Sequence, residues 1–258
     1  MKQKQQPSNL SQEQLKSFQL DGFLVLRGFF DETEMEDVSI WIDQLSSQSH
    51  ETGKQMNYFE DSLITPGQRI LSRIEYFADY HDAFKNFILG ERLVGVLSNI
   101  FSEPPVLFKE KINFKLPGAG GFAPHQDIQP GWDEYCPYFI SVLVTVDKST
   151  EENGCLELCS GHHNRGMIGK KWQALEGVEL EGLQFKKFPM DPGDIAIFDC
   201  FVPHQSAPNL TSTQRRNLYL TYNKQGHGDQ RRRYFEDKRI SYPPDNERSS
   251  DQVYKFKV

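Results

Sequence analysis

The chain reads as a mainly β protein with bracing helices, its strands forming a sandwich or barrel. Short runs rich in β-branched and aromatic residues recur through the second half, separated by Gly, Pro, Asn and Asp turn signals. The longest extended run alternates with a period of two. Helix signatures, in contrast, gather before residue 105, where they can brace the strands that follow.

Taken in order, Ser11 to Gln14 has the capping-box form Ser-x-x-Gln, and Asp31 to Glu34 repeats it as Asp-x-x-Glu. Gly22-Phe23-Leu24-Val25-Leu26 between them is a strand, so the opening is helix, strand, helix. Residues 48–72 show weak periodicity and read as a flexible entrance loop or a plain surface connection. Phe84, Phe87, Ile88 and Leu89, then Leu93, Val94 and Leu97 beyond Gly90, mark helical material with buried faces. Phe108 to Leu116 is the alternating strand. Phe108, Ile112, Phe114 and Leu116 share one face, with Glu110 as its exception; Lys109, Lys111, Asn113 and Lys115 share the other. The run from Cys136 to Asp147 is a strand, Asn153-Gly154 a turn, and Cys155 to Leu158 extended until Ser160-Gly161. Asp191-Pro192-Gly193-Asp194 turns into Ile195 to Phe198, which ends before His204, and Arg215 opens a strand through Tyr222.

The residues that carry chemistry are His125 and Asp127, in Ala-Pro-His-Gln-Asp, with His204 far downstream and Arg215 eleven residues after it. Two imidazoles and one carboxylate on one face of a metal leave three positions open, the facial triad of non-haem Fe(II) oxygenases. His-x-Asp alone is a weak signal; the distal His and the Arg make the combination much stronger. His162 and His163 lack an Arg at that offset and suit a turn better, while His50, His81 and His227 read as surface or structural. Arg216 competes with Arg215, but strand neighbours point to opposite faces, so only one reaches the barrel interior.

With Asp21 to Phe29, Gly154-Cys155-Leu156-Glu157, Ser160-Gly161-His162 and Pro192-Gly193-Asp194, these residues make the chain resemble the phytanoyl-CoA dioxygenase family of Fe(II)/2-oxoglutarate enzymes, from about Leu15 to about Asn223. The resemblance implies a double-stranded β-helix (jelly-roll, cupin-like) core. It implies Fe(II) at a catalytic centre of His125, Asp127 and His204, with 2-oxoglutarate and O2 as cosubstrates. On the family's offset, Arg215 rather than Arg216 binds the far carboxylate of 2-oxoglutarate. The activity implied is a hydroxylase that couples 2-oxoglutarate decarboxylation to oxidation of a C–H bond. Asp127 occupies the position that related halogenases vacate, which favours hydroxylation. Cys159-Ser160-Gly161-His162 departs from the usual Pro-Gly-Ser-His turn, a difference confined to a loop. One domain then spans 1–258: an N-terminal brace over about 10–105, a jelly-roll core over about 106–225 and a C-terminal extension over 226–258.

At 258 residues and 37% hydrophobic, the chain can bury a full core. Its net charge of −7 argues against a general nucleic-acid or membrane-surface binder. Arg231-Arg232-Arg233, diluted by Glu236 and Asp237, reads as part of a solvated tail that covers the site or contacts a partner subunit. The polar start lacks an apolar signal core and no run reaches the length of a membrane span, so a cytoplasmic protein is expected. The four cysteines, at 136, 155, 159 and 200, lack Cys-x-x-Cys spacing, which argues against zinc.

The expected partner is a small-molecule substrate. If the apolar face of the alternating strand packs on the helices, its cationic face points into the barrel; the alternative is an exposed sheet face, where most lysines lie. Inward cations beyond Arg215 suit an anionic substrate. Lys111, with Asn113 and Lys109, is the candidate for a phosphonate, phosphate, sulfonate or carboxylate group. Gln126, Trp132, Asp133 and Tyr135 are candidates for an amine or quaternary ammonium at the other end. Within the family, Lys109 to Gly118, Pro124-His125-Gln126-Asp127 and Gly131-Trp132-Asp133 are similar to 2-aminoethylphosphonate hydroxylases, which implies a small zwitterion. The competing readings are an acyl-CoA or other hydrophobic substrate, a demethylase of nucleic acid or protein, a cupin-like enzyme that does not use 2-oxoglutarate, and a non-catalytic metal- or 2-oxoglutarate-binding module.

Overall fold

The helices of the N-terminal segment start where their caps dictate. In the computed structural model, which describes residues 9–49 and 51–252, α1 spans Gln12–Asp21 and α2 spans Glu32–Ser47. Both capping boxes form: Ser11 Oγ accepts from the Gln14 amide, and Asp31 Oδ1 from the Glu34 amide. Gly22 ends α1 at φ 82°, and a Cβ there would lie 2.6 Å from the His163 ring. Strand β1 (Phe23–Leu26) separates the two helices. His50 and residues 1–8 lie outside the described residues.

The stretch 48–72 is not a simple connection. Met56–Asp61 (β2) and Arg69–Glu75 (β3) form an antiparallel hairpin that extends the larger sheet. Its apolar alternation is weak because Arg73 and Glu75 pair in register with Asn113 and Lys111, so one buried face of the hairpin is polar. Helices α3 (Asp82–Ile88) and α4 (Glu91–Phe101) follow. The remaining strands are β4 (Pro105–Lys115), β5 (Phe122–His125), β6 (Ile140–Thr145), β7 (Leu156–Cys159), β8 (Phe185–Phe188), β9 (Ile195–Asp199), β10 (His204–Ser206) and β11 (Arg215–Lys224). Helix α5 (Arg231–Ser241) lies beyond them.

Two antiparallel sheets result, one ordered β1-β9-β6-β11-β4-β3-β2 and the other β5-β10-β7-β8, the double-stranded β-helix arrangement. The larger sheet sorts its side chains by parity. Ile112, Phe114, Val142, Val144, Ile195, Ile197, Leu218 and Leu220 point outward and share one core with residues of α1 to α4. Leu143, Ala196 and Phe198 point inward and meet Leu156 and Leu158 of the smaller sheet. The rest of the inward face of β4 and β11 is polar: Lys109, Lys111, Asn113 and Lys115 stand opposite Thr221, Tyr219, Asn217 and Arg215. The inward orientation of the lysine row is thus the one the structure adopts.

Two details depart from strict alternation. A register shift between Thr221 and Tyr222 turns Phe108 inward, against Trp132, Phe139 and Tyr234, instead of toward the helices. Glu110 does sit on the outward face, where Arg231 of α5 reaches both its oxygens at 2.6 and 3.0 Å and the Ala78 amide donates to it. The basic run is therefore no uniform solvated tail: Arg231 is an inner anchor, whereas Arg232 and Arg233 are exposed and face Glu236 and Asp237. All four cysteines are buried free thiols. No helix among the described residues is long and apolar enough to cross a membrane.

Removing Arg231 strands a fully buried carboxylate. Arg231→Ala is expected to cost about 3–5 kcal/mol in denaturant unfolding, against about 0.5 kcal/mol or less for Arg232→Ala.

Candidate active site

β5 and β10 run antiparallel with His125 and His204 as direct partners, which sets the two imidazoles 4.1 Å apart between ring centroids. His125 Nδ1 lies 2.7 Å from the Ala123 carbonyl and His204 Nδ1 lies 3.0 Å from that of Val202. A carbonyl can only accept, so each Nδ1 donates and each Nε2 keeps its lone pair for a metal. Asp127, two residues past His125, brings a carboxylate to the same place, and one ligand atom from each residue lies within 4.8 Å of the others. Ser141 Oγ donates to Asp127 Oδ2 at 2.5 Å, leaving Oδ1 3.7 Å from His204 Nε2.

Electrostatics sets the protonation of this trio. Burial, and then the charge of His204, pushes His125 down to about 3; burial also lowers His204. Burial alone would raise Asp127, but His204, Lys111, His125 and the Ser141 hydroxyl together lower it. Neutral imidazoles beside an ionised carboxylate are the forms that ligate a divalent cation. The donor set fits Fe(II) in a facial triad.

The two arginines of β11 diverge. Arg216 points outward, where Nε and Nη2 grip Asp147 at 2.8 and 2.9 Å, Nη1 reaches Asp43, and Nη2 reaches Ser39. Arg215 points inward and is 2% exposed. With the Asn217 amide turned to satisfy both its ends, its oxygen accepts from Arg215 Nη1 at 2.5 Å; Arg215 Nε has no hydrogen-bond partner among the described residues. Burial pulls its pKa below the usual guanidinium range, opposed by the adjoining Tyr219. Lys115 stands opposite it in register and donates to Ser206 Oγ at 2.7 Å and to the Ala207 carbonyl. Burial, and then the Arg215 charge, pushes Lys115 down to about 6. Gly154, at φ 77°, lets this layer close, since a Cβ there would lie 2.0 Å from the Ala207 carbonyl oxygen. A narrow cleft lined by Asn113, His125, Leu156, His204 and Tyr219 leads from the imidazoles toward β11. The orphaned guanidinium nitrogen of Arg215, on the inward face of the same strand as the cleft-lining Tyr219, fits the distal carboxylate of 2-oxoglutarate.

A larger cavity of about 220 Å³ opens on His125 and Asp127 and shares Lys111, Phe122 and His125 with the cleft. Of the residues nominated by the sequence, Lys109, Lys111, Trp132 and Tyr135 line it. Asn113 lies in the cleft instead, its Oδ1 buried without a partner. Gln126 is turned away: its Nε2 donates to the carbonyls of Gly166 and Phe201, and its Oε1 accepts from the Ile168 amide. Those bonds pin the loop after the triad, so sequence adjacency to the ligands did not translate into contact with the cavity. Asp133 faces Lys171 at 2.8 Å, and its neighbour Glu134 lines the cavity instead. Sequence reasoning passed over Arg73 and Glu75 of β3 and Tyr234, Asp237, Lys238 and Ser241 of α5, which also line it. Their signals were present: Arg73 and Glu75 share a strand face, and Tyr234, Lys238 and Ser241 recur at helical spacing.

The Ser141 hydroxyl is the side-chain restraint on the Asp127 carboxylate. Ser141→Ala is expected to weaken Fe(II) binding about 10- to 100-fold in anaerobic titration, with little change in melting temperature.

Comparison with known proteins agrees with this geometry. Residues 18–217 match the phytanoyl-CoA dioxygenase (PhyH) family. The chain is 39% identical over 248 residues to a 2-aminoethylphosphonate dioxygenase of uncultured bacterium HF130_AEPn_1, covering 96% of this chain and 94% of that one. It is 34% identical over 236 residues to a methylphosphonate hydroxylase of Gimesia maris, covering 91% and 89%. EctD of S. alaskensis, solved with 2-oxoglutarate and 5-hydroxyectoine, shares the fold with a TM-score of 0.73 at 19% identity, over 88% of this chain and 80% of that one. The α-ketoglutarate-dependent carbocyclase SnoK does so with a TM-score of 0.70 at 14% identity, over 86% and 87%. By motif, fold and sequence, the chain belongs to the phytanoyl-CoA dioxygenase family of Fe(II)/2-oxoglutarate-dependent dioxygenases.

Proposed function

We propose that this dioxygenase hydroxylates a C–H bond of a small phosphonate-like anion or zwitterion, of the 2-aminoethylphosphonate type. The observation that carries the reading is Lys111. Its ammonium stands on the cavity wall beside the triad, over the rings of Tyr219 at 4.8 Å and Phe122 at 5.5 Å. Burial, and then the Lys109 charge, pushes it down to about 8, so a bound anion would hold it charged. Two relatives that differ in their amine, a 2-aminoethylphosphonate dioxygenase and a methylphosphonate hydroxylase, have the phosphonate in common. Glu134 and Asp237, beside Tyr135 and Trp172, suit an ammonium at the cavity's other end.

In this reading His125, Asp127 and His204 hold Fe(II), and Arg215 holds the distal carboxylate of 2-oxoglutarate. The bound iron and cosubstrate supply oxidative decarboxylation to succinate and CO2, coupled to transfer of one oxygen atom from O2 to the substrate carbon. The chain's own residues do the positioning. The two backbone carbonyls keep both imidazoles in the ligating tautomer, and Ser141 fixes the carboxylate. Lys111 and Lys109 would draw the anionic end toward the metal, and Trp132 and Tyr234 wall the cavity with apolar surface that limits water.

Arg215→Ala is expected to raise the 2-oxoglutarate KM by two or more orders of magnitude, as loss of a buried charge partner costs about 3–5 kcal/mol. Arg216→Ala should leave that KM nearly unchanged and lower the melting temperature instead. The function itself is tested by succinate release with 2-aminoethylphosphonate, its trimethylammonium analogue, methylphosphonate, an acyl-CoA and free amino acids. Phosphonate-stimulated release that disappears in His204→Ala supports the reading; stimulation by the acyl-CoA alone overturns it.

A further inference from the structure

We propose that Lys109 and Lys238, gathered around Glu75, act with Lys111 as a three-ammonium receptor that selects a doubly charged tetrahedral head over a singly charged one. The inference rests on the reading that this cavity takes a small anionic substrate. Three elements distant in sequence build the receptor. β3 places Glu75 opposite Lys111 of β4 in register. α5 brings Lys238 from the other side, with Nζ 2.5 Å from Glu75 Oε2. Lys109 approaches the same oxygen at 4.0 Å, and Arg73 Nε takes Oε1 at 2.8 Å. Glu75, Arg73, Lys109 and Lys238 are each less than a tenth exposed, and all four line the cavity together with Lys111.

A fold seldom gathers this much like charge for stability, because apolar residues of the same volume do as well or better. Glu75 serves as the clamp. Burial alone would raise its pKa, but Lys109, Lys238 and Arg73 hold it far below the ordinary carboxylate range, so it stays ionised and holds these groups on one wall; burial pulls Lys238 well below the usual lysine range, which Glu75 opposes and a bound dianion would oppose further. Lys109 is the loosest of its contacts, at the limit of ion pairing, and is the better placed to turn to a ligand. An independent observation marks the same spot. The Trp132 indole Nε1 is buried without a hydrogen-bond partner among the described residues, and the ring lies 5.1 Å from Lys109 Nζ. A ligand oxygen would complete this buried N–H donor beside an ammonium group in the cavity wall. A phosphonate dianion offers three oxygens and two charges. A sulfonate keeps the shape with one charge, and a carboxylate keeps one charge with a planar shape. Charge and geometry can therefore be separated by choice of substrate.

The experiment compares kcat/KM of the Fe(II)-loaded enzyme for 2-aminoethylphosphonate, 2-aminoethanesulfonate and 3-aminopropanoate. It is run in the wild type, Lys238→Met, Lys238→Arg and Lys109→Met. The wild type should favour the phosphonate by about 100-fold or more. Lys238→Met should raise the phosphonate KM by about two orders of magnitude and the KM of the two singly charged substrates by only about tenfold, because the attraction scales with ligand charge, with kcat changing by about threefold or less. Lys238→Arg should recover most of the loss. The anaerobic Fe(II)–2-oxoglutarate absorption band, unchanged in the variants, reports an intact metal centre. If Lys238→Met loses that band, Lys109→Met decides the matter by the same ratios. Equal losses on all three substrates, or a wild type without phosphonate preference, would overturn the receptor while leaving the proposed hydroxylase standing. A wild type that turns over the sulfonate or carboxylate but no phosphonate overturns both.

Discussion

The antiparallel pairing of β4 with β11 is the constraint from which the site follows. It aligns Lys109, Lys111, Asn113 and Lys115 with Thr221, Tyr219, Asn217 and Arg215, so eight side chains of two strands enter the barrel as one polar layer. Their neighbours, Ile112, Phe114, Leu218 and Leu220, enter the helix-covered core on the other face. A slip of one residue would exchange these sets, placing Arg215 among leucines and Arg216 in the barrel. The outer face resists that slip twice, through apolar burial and through the bidentate Arg216–Asp147 pair, which Asp43 and Ser39 complete.

Burying so many cations would be ruinous without compensation, and the fold supplies it locally. Glu75 takes contacts from Arg73, Lys109 and Lys238 inside the cavity, while Glu110, on the opposite face of the same sheet, takes Arg231. Both acids contact helix α5, so the C-terminal helix is held by charge as well as by Tyr234 and Phe235 in the aromatic cluster. The helix thereby closes the cavity that opens on His125 and Asp127. Lys115 and Arg215 pair in register across β4 and β11, and Ser206 and the Ala207 carbonyl share the burden of the lysine.

The way the two spaces meet the triad follows from its own scaffolding. β5 and β10 carry one imidazole each across a single pair of strands, and Asp127 leaves β5 before it can pair. The cleft therefore meets both imidazoles, whereas the larger cavity meets His125 and Asp127. Lys111, Phe122 and His125 line both, so the two spaces meet at the triad.

Much of this was legible in residue order. Strand periodicity, the two capping boxes, the turn before β9 and the His125-x-Asp127 pair are local patterns, whereas joining them to the distant His204 and Arg215 rested on the family resemblance. Parity put Arg215 and Arg216 on opposite faces and Lys109 and Lys111 on one, while the family's offset chose Arg215. Other features have no local cause. The β2–β3 hairpin owes its burial to a neighbouring polar strand, so its own alternation is faint. Gln126 and Asp133 sit beside the ligands in sequence, yet one is tied to the carbonyls of Gly166 and Phe201 and the other to Lys171. Phe108 turned inward because of a register shift in its pairing with β11. The convergence of Arg73, Glu75, Lys109 and Lys238 required β3, β4 and α5 to meet. Sequence thus determined which side chains have donor chemistry for a metal and, Phe108 excepted, which strand residues share a face, because those depend on residue type and on alternation a few residues long. Tertiary structure decided which charges share a cavity, because ion pairing depends on distance across the fold and has no signature along the chain.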